Sequence, residues 1–244
     1  MTDRGDVDRL TAAQRRLVQQ ARNELAGYFG TLDLSQPGAV RDALLEVVPT
    51  LVRQYGTVAA TAAAEWYEDI HPGRYLAQTA PLALDDQVQG SVRYAAGHLF
   101  GDDPAGTLAT LNGALQRYIS YGSRATVARN VSLDPSKPRF ARVPTGAKTC
   151  AWCTLLASRG FVYHSRATAG DPSVNRFHDD DDCAVVPEWD RDTAHIDGYD
   201  PDRFYDMYLQ ARDAAGGTTD EDIAAQMRRM FPDEFTDGVH EHDA

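Results

Sequence analysis

The sequence predicts an α+β protein: a helical N-terminal region, then a small mixed α/β domain with a Cys/His cluster. Three observations carry that expectation. Apolar residues recur at helical spacing through roughly the first 130 positions. At Val131 the texture changes, and Asp134-Pro135-Ser136-Lys137-Pro138 reads as a linker followed by short β-like runs. All three cysteines, Cys150, Cys153 and Cys183, fall after that linker. The expected division is a helical region over 1–132, a mixed α+β domain over 133–236, and a frayed polar tail over 237–244.

Taken in order, Thr11-Ala12-Ala13-Gln14 has the spacing of a capping box, which places a first helix over 12–29. Leu17, Ala21, Leu25 and Phe29 follow at steps of four, and Gly30 stops it. Pro37 opens a second helix carrying Val40, Leu44, Val47, Val48 and Leu51. Pro49 is expected to kink or interrupt it, with helix resuming over 59–70 and ending at His71-Pro72-Gly73. The run of small residues at 59–64 suits either close helix packing or plain helix propensity. Further helices are expected over 84–100 and 104–129, separated by Gly101-Asp102-Asp103-Pro104.

Beyond the linker, 139–143, 161–163 and 184–186 read as strands. The segment 150–158 has room for one or two helical turns before Gly160. Helices over 201–214 and 220–230 close the chain, the last with Thr219 as N-cap.

Composition sets outer bounds. Of 244 residues, 43% are hydrophobic, enough for a sizeable core. Lys plus Arg is 24 against 36 Asp plus Glu, a net charge of -12, which disfavours non-specific binding to nucleic acid or to an anionic membrane. No apolar run reaches the roughly 18 to 20 residues of a membrane span. The N-terminus is polar, so no secretory signal is expected and synthesis in a cytosol is. An odd number of cysteines in such a chain argues against a disulfide framework.

Cys150-Ala151-Trp152-Cys153 is a C-x-x-C turn, which presents two thiolates to one ion. His178 and Cys183 extend it to C-x2-C-x24-H-x4-C. A Cys3His set fits tetrahedral zinc closed to solvent, hence a structural metal, and uses every cysteine. Buried thiols without metal are the alternative, and a redox C-x-x-C is a third, though no βαβ pattern surrounds it. Trp152 inside the turn would shield a metal from water. Asp179-Asp180-Asp181-Asp182 reads as a solvated acidic loop rather than a hard-cation cage, since no EF-hand spacing is present.

A nucleophilic enzyme competes with these readings. Its candidates are Cys150 or Cys153 with His164 or His178, and Ser158 or Ser165 with His164. No G-x-S-x-G elbow and no H-E-x-x-H accompany them. Gly146-Ala147-Lys148-Thr149 lacks the first glycine of a phosphate loop.

The stretch from Arg142-Val143-Pro144-Thr145-Gly146-Ala147-Lys148-Thr149 through Cys150 and Cys153, Leu155 to Gly160, Tyr163, His178, Cys183 and Val185-Val186-Pro187 resembles the MuF-like minor head proteins of tailed bacteriophages. It is most similar to the actinobacteriophage type, often labelled capsid maturation proteases. The motif-bearing resemblance covers about 139–189. It departs from the usual ending, where the histidine is closely followed by cysteines, because an aspartate run intervenes and Cys183 stands alone. The resemblance implies a head morphogenesis protein in the virion or procapsid interior. Its implied partners are portal, scaffold or major capsid protein. The alternative it implies is a protease that processes scaffold or capsid protein.

Overall fold

A computed structural model describes residues 2–83, 85–162, 182–193, 195–217 and 219–240. The chain is α+β, with helices dominating and a two-stranded antiparallel sheet. Four long elements come first: α1 (Arg4–Phe29), α2 (Pro37–Ile70), α3 (Asp85–Ala95), which runs on into a 3₁₀ turn over Ala96–Phe100, and α4 (Gly106–Leu133). Then follow β1 (Arg139–Pro144), α5 (Ala151–Ala157), β2 (Cys183–Glu188), α6 (Pro201–Ala214) and α7 (Asp220–Met230).

The helical region is organised around α2 and α4. Leu25 of α1, Leu44, Val48 and Val52 of α2, Val92 of α3, and Leu111, Leu115 and Ile119 of α4 share one core. Ala59, Ala60, Ala63 and Ala64 are buried, so the small-residue run does serve close packing. Gly122 shows how close: a Cβ there would lie 2.7 Å from the Gly56 carbonyl oxygen.

Two local expectations are corrected. The first helix starts at Arg4, capped by Asp3, whose carboxylate accepts from Asp6 N at 2.9 Å while Asp6 returns the bond to Asp3 N. Thr11 therefore sits inside α1, buried, rather than capping it. Pro49 neither ends nor divides α2, which runs unbroken for 34 residues. Pro49 itself is buried, so tertiary packing on both sides outweighs the lost backbone donor.

β1 and β2 pair with Arg139 opposite Glu188, Ala141 opposite Val186 and Pro144 opposite Cys183. Both are buried along nearly their whole length. Residues 161–162 form no strand, and Tyr163 lies outside the described residues. The sheet is joined to the helical region by a mixed core of Leu10, Trp66, Val127, Phe140 and Val185. Val7 adds to a second, with Val143, Phe161, Val186 and Tyr199. On the far side, Trp152, Leu155 and Leu156 of α5 pack with Met207 and Ala211 of α6 and Ile223 and Met227 of α7. The start of the expected frayed tail is anchored: Asp237 accepts from Ala151 N at 2.9 Å and from Arg228 Nε.

Candidate functional site

Cys150 is the N-cap of α5. Its backbone is extended, and its Sγ accepts from Cys153 N at 3.3 Å, as a Ser or Asp cap oxygen would. The short helix, stopped by Gly160 at φ +64°, thus places Cys153 at its third position. Cys153 Sγ lies 3.5 Å from Cys183 Sγ at the start of β2, and both residues are buried. None of the three cysteines is in a disulfide.

The Cys183 sulfur meets a cation. Arg142, 1% exposed on β1, donates Nε at 3.0 Å and Nη2 at 2.6 Å to Cys183 Sγ. Arg124 of α4, also buried, donates Nε to the Cys183 carbonyl at 2.8 Å. A guanidinium against sulfur favours the anionic thiolate, the form in which cysteine ligates metal. Donors of this kind also orient ligands around metal centres.

Cys153 and Cys183 have the spacing of two ligands to one zinc ion, but the three cysteine sulfurs do not gather within reach of a single ion; among the described residues the group that does is His195, Asp200 and Asp202 on the surface. Two sulfurs on one tetrahedral ion with Zn–S bonds of ~2.3 Å stand about 3.8 Å apart. The Cys153–Cys183 separation of 3.5 Å is close to that spacing. Cys150 is half-buried, and its sulfur is engaged in capping α5 through Cys153 N. His178 lies outside the described residues, as do His164, Ser165 and 179–181.

Asp182 corrects part of the solvated-loop expectation. Its carboxylate accepts from Gly146 N at 3.0 Å and from the Thr149 hydroxyl, and its carbonyl accepts from Thr145 N at 3.1 Å and the Thr145 hydroxyl. It pins the turn at 145–149 beside Cys183. Gly146 suits that turn, because a Cβ would lie 2.8 Å from the Lys148 carbonyl oxygen as well as against the Asp182 carboxylate. Sequence reasoning missed this because nothing local distinguishes Asp182 from its three neighbours.

Ser158 is buried, and its hydroxyl donates to the Leu155 carbonyl at 2.7 Å. His195 Nε2 lies 3.0 Å from Asp202 Oδ2 and 3.7 Å from Asp200 Oδ1 on the surface. Asp200 is already engaged as the N-cap of α6. His71 does cap α2, and it also reaches a buried carboxylate, Asp134. Four more donations converge on Asp134: Tyr67 hydroxyl at 2.9 Å, Trp189 Nε1 at 3.1 Å, Ser136 N at 2.8 Å and Ser136 Oγ at 2.5 Å. Burial, first, and the Asp134 carboxylate beside it push the Tyr67 phenol far above its ordinary pKa.

A cleft of about 300 Å³ opens beside Cys183 between α1, α4 and the 145–149 turn. Arg15, Arg22 and Arg124 are among its lining residues. Among the described residues, no helix is long and apolar enough to cross a membrane.

Fold and site together define an α+β protein whose sheet, short helix and cysteine cluster are mounted on a helical bundle. The VG15 protein family model matches residues 1–211, and the chain belongs to that family. It is similar to the Gene 15 protein of Mycobacterium phage D29, 29% identical over a stretch covering 36% of this chain and 43% of that protein. It is also similar to the Gene 15 protein of Mycobacterium phage L5, 32% identical over 42% of this chain and 35% of that protein. The chain thus spans less than half the length of these relatives. No solved structure matches it. The protein is phage-encoded.

Proposed function

We propose that this chain is a minor head protein acting in phage head morphogenesis, associated with the portal, with a structural zinc held by Cys150, Cys153, His178 and Cys183. The observation that carries the reading is the meeting of the C-x-x-C helix cap with Cys183 across 3.5 Å, against a buried arginine. That arrangement suits a closed centre that welds α5 to β2, not an accessible nucleophile. Zinc, when bound, supplies a fixed tetrahedral tie between segments far apart in sequence. The chain's own part is to cap, bury and hydrogen-bond the sulfurs. The resemblance of 139–189 to MuF-like proteins and the phage relatives supply the setting.

The capsid maturation protease alternative finds less support. Cys153 and Cys183 are buried, and the Ser158 hydroxyl is committed to the Leu155 carbonyl.

The test is production of the full chain in cells that also make the phage's portal, scaffold and major capsid proteins. The chain is expected to co-purify with portal and procapsids and to leave scaffold and capsid protein uncut. Absence from both particles would overturn the head-protein reading. Specific cleavage abolished by Ser158→Ala or His164→Ala would establish the protease alternative.

A further inference from the structure

A groove of about 510 Å³ runs between α1 and α2. Its floor is Tyr28 of α1 with Val47 and Leu51 of α2. Val47 and Leu51 stand one turn apart, so they form a continuous ridge. Leu51 belongs to the core of the helical region and Val47 packs against that core, so the floor is anchored from beneath. Tyr28 and Val47 remain half-buried. Among the described residues, none outside α1 and α2 lines the groove.

The walls are acidic. Glu24 stands one turn before Tyr28 on one side, and Glu46 beside Val47 on the other. The Tyr55 hydroxyl donates to Glu24 Oε2 at 2.9 Å, which orients the carboxylate without neutralising it. Neither Glu24 nor Glu46 forms an ion pair with a described residue. Arg53 reaches Thr50 at the groove edge, but its charge goes to Asp85 at 2.5 Å.

An occupant of such a groove must meet two requirements at once. It must bring apolar side chains to the floor and positive charge to both walls. A helix that is apolar on one face and basic on its flanks meets both, and its ridges fit between those of two neighbouring helices.

We infer that the α1–α2 groove docks a basic amphipathic helix of a partner protein. Its apolar side chains lie on Tyr28, Val47 and Leu51, and its lysines or arginines face Glu24 and Glu46. Complementary charge selects this occupant. A second copy of a chain with net charge -12 would bring more acid than base to the same walls. Such docking goes beyond the head-protein reading and does not depend on it.

The test uses the full chain and three synthetic helical peptides of about four turns. One carries leucine on one face and lysine on the other, one leucine and glutamate, and one serine and lysine. Calorimetry measures binding and amide NMR shifts locate it. The leucine–lysine peptide is expected to bind and to shift the signals of 24–28 and 46–54. Glu24→Gln and Glu46→Gln should each weaken it roughly two- to fivefold. Val47→Ser should weaken it roughly threefold or more. Asp233→Asn, at an exposed carboxylate beyond α7, should leave binding unchanged. Unfolding midpoints of the variants separate a loss of binding from a loss of folding. Equal weakening by Asp233→Asn, or equally tight binding of either comparison peptide, would overturn the inference. So would the absence of binding, or self-association of the chain that Val47→Ser abolishes, which would assign the groove to a second copy.

Discussion

Asp134 Oδ2 accepts the indole N–H of Trp189 at 3.1 Å, tying the C-cap of α4 to the residue that follows β2. The same oxygen accepts the Tyr67 hydroxyl and lies 3.1 Å from His71 Nε2 at the end of α2. One buried carboxylate therefore closes the corner where two helices and the sheet meet.

That corner predicts an acid-sensitive fold. Burial pushes the Asp134 carboxyl up, but hydrogen bonds from Ser136, Trp189 and Tyr67 together outweigh it and hold the group below its ordinary value. A carboxyl with a lowered folded pKa stabilises fully above the unfolded value of about 3.9 and loses that contribution as pH falls through the folded value. Urea unfolding of the natural chain should thus weaken below about pH 4. Asp134→Asn should cost about 1–3 kcal/mol at neutral pH and flatten that acid limb. An unchanged acid limb in the variant would show that other carboxylates set it.

On the proposed reading, zinc at the cysteine cluster would make the fold metal-dependent. Protein purified without chelator should carry zinc at close to one ion per chain. Removal of the metal should lower the melting temperature by more than ~5 °C, at ~2–4 °C for each kcal/mol lost. Cys183→Ser should abolish the metal content. Metal-free protein of full stability would leave the buried-thiol reading.

Gly122 sets the approach of α4 to α2. Gly122→Ala would press a methyl into the Gly56 carbonyl and the Leu82 side chain. The expected cost is about 1–3 kcal/mol, read by denaturant unfolding. Gly27→Ala meets nothing within 4 Å and serves as the control that should not destabilise.

Asp182→Ala should free the 145–149 turn, since it removes the acceptor for Gly146 N and the Thr149 hydroxyl. Faster amide exchange at Gly146 and Ala147, with α1 to α4 unchanged, is the expected result. Uniform loosening of the whole chain would mean instead that the turn is not a local unit.

The sequence announced those elements whose signals are local. Pro201 at the first helical position and the Thr219–Asp222 capping box mark α6 and α7, and their bounds agree with the sequence reading. The start of α1 was misplaced because Thr11-x-x-Gln14 mimics a cap, whereas Asp3-x-x-Asp6 caps with a shorter partner. Pro49 does not interrupt α2 although the local rule flags it, because that rule says nothing of the packing that buries it. At the site, the structure sets Cys153 Sγ 3.5 Å from Cys183 Sγ, while Cys150 does not join them within reach of one ion and His178 lies outside the described residues. Arg142 and Arg124 were not legible, since an arginine on a strand or helix reads as a solvent-facing residue until tertiary structure buries it. The Asp134 corner was hidden for the same reason: its partners lie 55 to 67 positions away at Trp189 and Tyr67.

The 28 residues of α4 form a strut of about 42 Å. One end is embedded among Leu111, Leu115 and Ile119, while further along Arg124 grips the Cys183 carbonyl and Asp134 closes the far end. Such a member is stiff along its axis. A pull or twist applied where Gly106 begins it would arrive at the two-stranded sheet almost undiminished. The helical half and the cysteine-bearing half would then move as lever and load, turning a change at one surface into a change of strain at the other.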